Sequence, residues 1–167
     1  MISLRIKQAS SEMSKTVYRI TQETIDAIYP HYYPAGAVAF FKAHHSMEKI
    51  QADVRDGLVW LLYQDESPVG TVTVGGNHIL RLFVLPAYQH RGYGRALLDF
   101  AEAKIFAEHA EAELDASFPA KAIYRMRGYV GRAYHTIRTE NGDVLCYDVM
   151  AKSRPDPIQS TDDAKGG

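Results

Sequence analysis

Phe83-Val84-Leu85-Pro86-Ala87-Tyr88-Gln89-His90-Arg91-Gly92-Tyr93-Gly94-Arg95-Ala96 is the stretch that decides how this chain folds. It opens as an apolar strand, passes through Pro86 and reaches Gly92 and Gly94 just ahead of Leu97, Leu98, Ala101 and Ile105, which recur at helical spacing. A strand end, a glycine turn and a helix start thus follow one another. The N–H groups of a helix's first turn lack intrahelical partners and sit at the positive end of its dipole, so such a junction suits a phosphate. Glycine lets the backbone approach that anion closely. The competing reading is that the glycines only shape a turn and that Arg91 and Arg95 are solvated surface.

Spacing separates the phosphate loops. The nucleotide-hydrolysing pattern G-x-x-x-x-G-K-[ST] does not occur in the chain. A dinucleotide fingerprint asks for Gly or Ala three residues after the second glycine, where Leu97 stands, and Asp115 lies at the wrong distance for a ribose partner. What does occur is Q-x-x-G-x-G, from Gln89 to Gly94, directly after Val84-Leu85-Pro86.

Downstream, residues 113–116 make a short strand, so strand, glycine turn, helix and strand form a βαβ unit with a parallel pair and a right-handed crossover. A short helix follows from about Pro119 to Arg127, with Gly128 at its C-terminal position. Residues 129–139 and 144–150 then flank the hairpin turn Glu140-Asn141-Gly142-Asp143. Upstream, residues 79–85 are a strand, preceded by a hairpin of residues 58–63 and 69–74 around Asp65-Glu66-Ser67-Pro68. Ile2, Leu4 and Ile6 alternate with polar residues as a first strand. Met13, Val17, Ile20 and Ile28 predict one amphipathic helix stopped at Pro30, and Phe40, Met47, Ile50 and Val54 predict a single second helix ending before Gly57. The order is β, α, α, β, β, β, α, β, α, β, β. It describes an α/β fold, a mixed and mostly antiparallel sheet with helices on both faces.

The 167 residues are 46% apolar, with 19 basic against 20 acidic side chains and a formal net charge of -1. A domain of this size buries about 70% of its unfolded surface, so it needs no disulfide or metal staple. The composition excludes a fibre, a coiled coil and wholesale disorder. Near-neutral charge gives no electrostatic ground for nucleic acid or an anionic membrane as partner. The single cysteine, Cys146, cannot bridge internally and reads as a small buried strand residue in a reducing compartment. With no apolar leader at the N-terminus, a cytoplasmic location is expected. Residues 1–152 read as one domain, and residues 153–167, with Pro155, Pro157 and a Gly-Gly end, as a flexible tail.

A second motif sits at Ala122-Ile123-Tyr124-Arg125-Met126-Arg127-Gly128-Tyr129, which fits A-x-Y-x-x-x-G-[FY]. Together with the glycine loop, Pro86 and the element order, it makes residues 2–151 resemble the GCN5-related N-acetyltransferase (GNAT) family. The resemblance implies a single-domain acyl-CoA N-acyltransferase fold with a parallel pair of strands four and five. It implies acetyl-CoA as acyl-donor cosubstrate and direct transfer of the acetyl group to a primary amine of a small molecule or peptide. By the same resemblance the coenzyme contacts are Leu82, Phe83 and Val84, whose strand frees backbone N–H groups, then Gln89, His90, Arg91, Gly92, Tyr93, Gly94 and Arg95, with Tyr124 as general acid. Where the family often has Asn, seven residues before that tyrosine, this chain has Ser117. His78 falls at the station of the family's strand-four carboxylate and is the implied base, although a histidine there is also an ordinary turn residue. The acceptor pocket maps to Tyr29, His31, Tyr32 and Tyr33 between the first two helices; the cluster either cages an amine or is a packed corner with wet tips. The implied partners are an amine acceptor, no nucleic acid and no membrane, in a monomer or homodimer.

The chemistry stands apart from the name. Thioester aminolysis expels a thiolate whose conjugate acid has pKa about 8.5, and a phenol of pKa about 10 can supply its proton. Tyr124 alternatively packs its ring in the core and bonds its hydroxyl to backbone. His44, His45 and Glu48 share one helical turn, which reads as a solvated helix face and not as a metal site. Arg81 interrupts an apolar strand and calls for a partner carboxylate. The rival to an enzyme is a non-catalytic CoA-binding or protein-interaction module, for which Ser117 and the missing strand-four carboxylate speak.

Overall fold

The computed structural model describes residues 1–156. Its elements are β1 (Leu4–Gln8), α1 (Ser14–Ile28), α2 (Ala35–His44), α3 (Met47–Arg55), β2 (Val59–Gln64), β3 (Ser67–Gly75), β4 (His78–Val84), α4 (Tyr93–Glu108), β5 (Glu111–Ala116), α5 (Lys121–Met126), β6 (Val130–Arg138) and β7 (Val144–Ser153). Among the described residues the strands form one seven-stranded sheet in the order β1-β2-β3-β4-β5-β7-β6. The β4–β5 pair is parallel and the other pairs are antiparallel, as the βαβ reading requires. No helix among these residues is long and apolar enough to cross a membrane.

Helices on both faces bury the sheet's centre, so Val69 to Val74 in β3 are all buried and the strand reads as an unbroken apolar-and-threonine run. On one face α4 packs Leu97, Leu98, Ala101 and Ile105 against Val72, Val84, Leu114 and Met150. On the other, α1 and α3 pack Val17, Ile20, Ile25, Ile50 and Val54 against Val59, Leu61 and Phe83. Full burial of a side chain such as Leu97 stabilises by about 1.5–3 kcal/mol, and both layers depend on many such contacts. The buried threonines of α1 satisfy their hydroxyls within the helix: Thr21 Oγ1 donates to the Val17 carbonyl (2.8 Å) and Thr24 Oγ1 to that of Ile20 (2.7 Å).

The expected single second helix is two. His45 leaves the helical region with φ −104 and ψ 54, and Ser46 starts α3 by accepting a hydrogen bond on Oγ from the Lys49 N–H (3.2 Å). The apolar period runs through this break, so periodicity alone does not reveal it.

β4 carries an irregularity that sets up the site. Thr73 pairs with Arg81 and Val74 with Ile79, which leaves Leu80 as an extra residue opposite none. The bulge resets the alternation: Ile79 joins the α4 layer, whereas Phe83 joins the α1 and α3 layer. At the same point β4 and β5 part. They pair at His78↔Glu113 and Ile79↔Leu114 and no further, although both strands continue.

The β6–β7 hairpin reaches across to α2. The Gly36 N–H donates to Asp143 Oδ2 (2.8 Å), and a Cβ on Gly36 would stand 2.0 Å from Asn141 Oδ1. Only glycine permits that approach. Ser153, expected to open the tail, still belongs to β7, and Arg154 is tied down by its N–H on the Ala110 carbonyl (2.7 Å) and its Nη1 on that of Phe106 (3.1 Å). Residues 157–167 of the expected tail lie outside the described residues. Cys146 is half-buried, not buried, because it sits on the hairpin beside the exposed edge strand.

Candidate active site

Where β4 and β5 separate, a cavity of about 850 Å³ opens between the glycine loop, α5, the C-terminal parts of α1 and α2, and the β6–β7 hairpin. Its size suits a small-molecule site. Its walls include Leu82, Phe83, Val84, Gln89, His90, Gly92, Tyr93, Gly94, Arg95, Ser117, Tyr124 and Tyr29. Most of the residues singled out in the sequence therefore meet in one place.

The loop is open at its glycines. Gly92, with φ +83, is the residue before α4, and His90 is also left-handed at φ +61. Apart from their chain neighbours and the α4 backbone itself, no described atom lies within 4 Å of the position a Cβ would take on Gly92 or Gly94, and both line the cavity. The first amides of α4 thus face open space that any larger side chain would fill, and a diphosphate fits that cradle. Two motif residues serve the fold. Gln89 Nε2 donates to the Val84 carbonyl (2.9 Å), which pins the loop to β4, and Tyr93 is buried with its hydroxyl on Gln64 Oε1 (2.5 Å). Arg91 does not line the cavity; its guanidinium lies over the Tyr88 ring, 5.3 Å from the centroid. Arg95 does line it.

The strand contribution divides by parity. The Leu85 N–H bonds back to the Val69 carbonyl (2.9 Å), so alternation turns the amides of Phe83 and Leu85 toward β3 and those of Leu82 and Val84 into the splay. Phe83 contributes its ring.

Tyr124 is held at both ends of its short helix. Lys121 pairs with Asp148 of β7, and Arg127 with Glu102 and Asp99 of α4, 2.6 Å in the case of Asp99. The Tyr124 ring packs edge-on to Tyr129 (5.7 Å), and its hydroxyl has no hydrogen-bond partner among the described residues. The backbone-bonded alternative is therefore not what forms. Desolvation pushes its pKa up to about 12, which keeps the phenol protonated. Ser117 precedes the 3-10 turn Phe118–Ala120 without capping it and lines the cavity, as does the half-buried Tyr29, whose pKa desolvation raises.

Three expectations are displaced. His78 does not line the cavity: it stands where β4 and β5 are still paired, Nδ1 3.8 Å from Glu113 and Nε2 3.7 Å from Asp115. The nearby carboxylates, Asp115 first and then Glu113, raise its pKa against the opposing effect of burial. Asp115, one strand over, is the carboxylate that lines the cavity. Of the acceptor cluster Tyr29 faces the cavity, whereas His31, Tyr32 and Tyr33 do not; the Tyr33 hydroxyl instead accepts from the Phe118 N–H (2.5 Å), and Tyr32 packs on Phe118. His45 is not on a solvated face but buried against Arg81, which also meets the expected carboxylate, Asp53, at 3.1 Å. Phe40, Phe41, His44 and His45 of the α2 region line the cavity; in the sequence Phe40 reads as helix core and the two histidines as surface, and Phe41 is not singled out.

Fold and site together define an α/β protein with an open glycine loop at the splay of a parallel strand pair. The family model described as acetyltransferase (GNAT) domain matches residues 28–142, more than half of the chain, and the chain belongs to that family. Among solved structures it is similar to a protein of Rhodopseudomonas palustris described as a GCN5-related N-acetyltransferase and as a class-II aminotransferase, with 26% identity and TM-score 0.82 over 92% of this chain and 98% of that one. It shares the fold of the PaiA N-acetyltransferase of Thermoplasma acidophilum, solved with coenzyme A, at 20% identity and TM-score 0.71 over 91% and 99% of the two chains. It likewise shares that of the ribosomal-protein-S18-alanine N-acetyltransferase of Escherichia coli, at 19% identity and TM-score 0.67 over 95% and 98%. Among curated proteins the comparison finds no match.

Proposed function

We propose that this acetyltransferase moves an acetyl group from acetyl-CoA directly to a primary amine of a small molecule or peptide. The observation that carries the reading is that the open amides at Gly92 and Gly94, the splay amides of Leu82 and Val84, and the free hydroxyl of Tyr124 border one cavity. Gly92, Gly94, His90 and Arg95 would hold the diphosphate, with Ser117 and Tyr124 further along the cavity. The coenzyme supplies an activated acyl thioester when bound.

The remaining steps belong to the chain's residues. An N–H of Leu82 or Val84 aimed at the thioester carbonyl opposes the negative charge that develops there, worth about 3 kcal/mol per well-placed donor. Tyr124 Oη donates its hydrogen to the departing sulfur. Asp115 faces the acceptor and takes the amine's proton, with His78 behind it at 3.7 Å to pass the proton on. His78 thus acts through Asp115 rather than on the amine itself. A single cysteine suits a reducing compartment, and we place the activity in the cytoplasm.

The test is release of free thiol from acetyl-CoA in the presence of a panel of primary amines, read against the rate without amine. Amine-dependent release is expected. Saturable coenzyme binding with no release under any amine would favour the non-catalytic module instead.

A further inference from the structure

The acetyl-transfer reading leaves one buried polar group on the acceptor side without a task, the imidazole of His45. It is 8% exposed, follows α2 directly and lines the cavity together with Arg81. Its backbone is pinned, because Gln22 Nε2 donates to the His45 carbonyl (3.1 Å) and to that of Lys42 (3.1 Å). The ring sits edge-on between His44 (5.0 Å) and Phe83 (5.5 Å).

Arg81 decides which nitrogen carries the hydrogen. Its Nε donates to His45 Nδ1 (3.2 Å), its Nη1 to Thr73 Oγ1 (2.8 Å) and its Nη2 to Asp53 Oδ2 (3.1 Å). A guanidinium only donates, so Nδ1 must offer its lone pair, and a neutral ring then carries its hydrogen on Nε2. No described residue accepts from Nε2. Tyr129 Oη is the one side-chain polar atom among the described residues that is buried without a partner, so Nε2 is not sealed within the protein. Burial and the facing charges of Arg81 and Lys49, with His44 beside it, push the pKa of His45 down to about 3. Its lone pair is engaged by Arg81, which removes it from consideration as a base.

We infer that His45 presents a fixed Nε2–H donor to the acceptor, and that the acceptor is an amine carrying an uncharged carbonyl oxygen on an apolar or aromatic frame. All three Arg81 nitrogens are engaged, on His45, Thr73 and Asp53, so the guanidinium is not free to pair with a substrate carboxylate. Tyr29, Phe40, Phe41 and Leu80 supply the apolar wall. The inference rests on the acetyl-transfer reading but has a readout of its own.

Two probes differ in the group concerned: phenylalaninamide has the carbonyl and 2-phenylethylamine lacks it. Nitrogen-edited NMR of the full chain is expected to show the His45 hydrogen on Nε2 and to show it shifting with phenylalaninamide and not with 2-phenylethylamine. A hydrogen on Nδ1, an equal shift with both amines or a shift with neither would overturn the inference. In thiol-release assays the KM ratio of the two amines, compared between proteins so that their different basicities cancel, is expected to move about tenfold against phenylalaninamide in His45→Phe. His45→Gln, whose amide both accepts and donates, is expected to restore most of it. An unchanged ratio in a folded His45→Phe protein would also overturn the inference. Absence of release with either amine would count against acetyl transfer to amines, while the NMR result would still decide the role of His45.

Discussion

Tyr124→Phe is expected to lower kcat by about 10²-fold or more, the usual scale of general-acid catalysis, and to leave coenzyme affinity within about threefold. The substitution removes one hydroxyl and keeps the ring that packs on Tyr129, while α5 stays anchored through Lys121 and Arg127. No described residue bonds the hydroxyl, so its loss orphans nothing in the free protein. The pH dependence has a definite sign. An acid works in its protonated form, so activity is lost as pH rises through its pKa, and a Tyr124 pKa pushed up to about 12 puts that loss beyond the usual assay range. The wild-type rate should show no descending limb from this group below about pH 10. An unchanged kcat in the variant would remove Tyr124 from the proton transfer.

Gly94→Leu is expected to weaken coenzyme A binding about hundredfold, close to 2.7 kcal/mol, while leaving the melting temperature unchanged or slightly raised. The two effects separate because nothing beyond its chain neighbours and the α4 backbone lies within 4 Å of the Cβ position and Gly94 has no left-handed backbone to strain, whereas leucine is a better helix former than glycine. The new side chain would occupy the space in front of the α4 amides. Gly92→Val should cost affinity as well, but its φ of +83 adds backbone strain, so a fall in stability is expected to accompany it. Isothermal titration with coenzyme A, alongside thermal melting, reads both. Wild-type affinity in a folded Gly94→Leu protein would mean that the diphosphate rests elsewhere.

The parts of this site legible in the sequence are local ones. A glycine turn between an apolar strand and a helix stripe is written in consecutive residues, so Gly92, Gly94 and the start of α4 could be read directly. So could the parallel pairing of β4 and β5. The parts that escaped depend on distant partners or on a single inserted residue. Leu80 bulges β4 without altering its apolar character, yet it turns Phe83 to the face opposite Ile79 and marks the start of the splay. Counting back along β4 from Gln89 reaches His78, whereas the carboxylate in the cavity is Asp115, on a neighbouring strand that such a count does not visit. The break at His45 and Ser46 hides inside a continuous apolar period, with Ser46 as its one capping signal. His45 then looked like surface, because its burial depends on Arg81 and Phe83 from a strand far along the chain. The closure of Asp143 on Gly36 spans 107 residues and no local pattern reports it. Gln89 and Tyr93 teach the converse: a motif position can also be held by the fold, here through Val84 and Gln64.

Everything proposed for Tyr124, Asp115 and His45 presupposes that the coenzyme lies along this cavity. Thermal melting of the full chain against increasing coenzyme A tests that most directly. Saturable stabilisation is expected, about 2.7 kcal/mol at a hundredfold excess over Kd, falling to about 0.4 kcal/mol at the same concentration in Gly94→Leu. A melting curve indifferent to millimolar coenzyme A, or one that shifts equally in the variant, would contradict it.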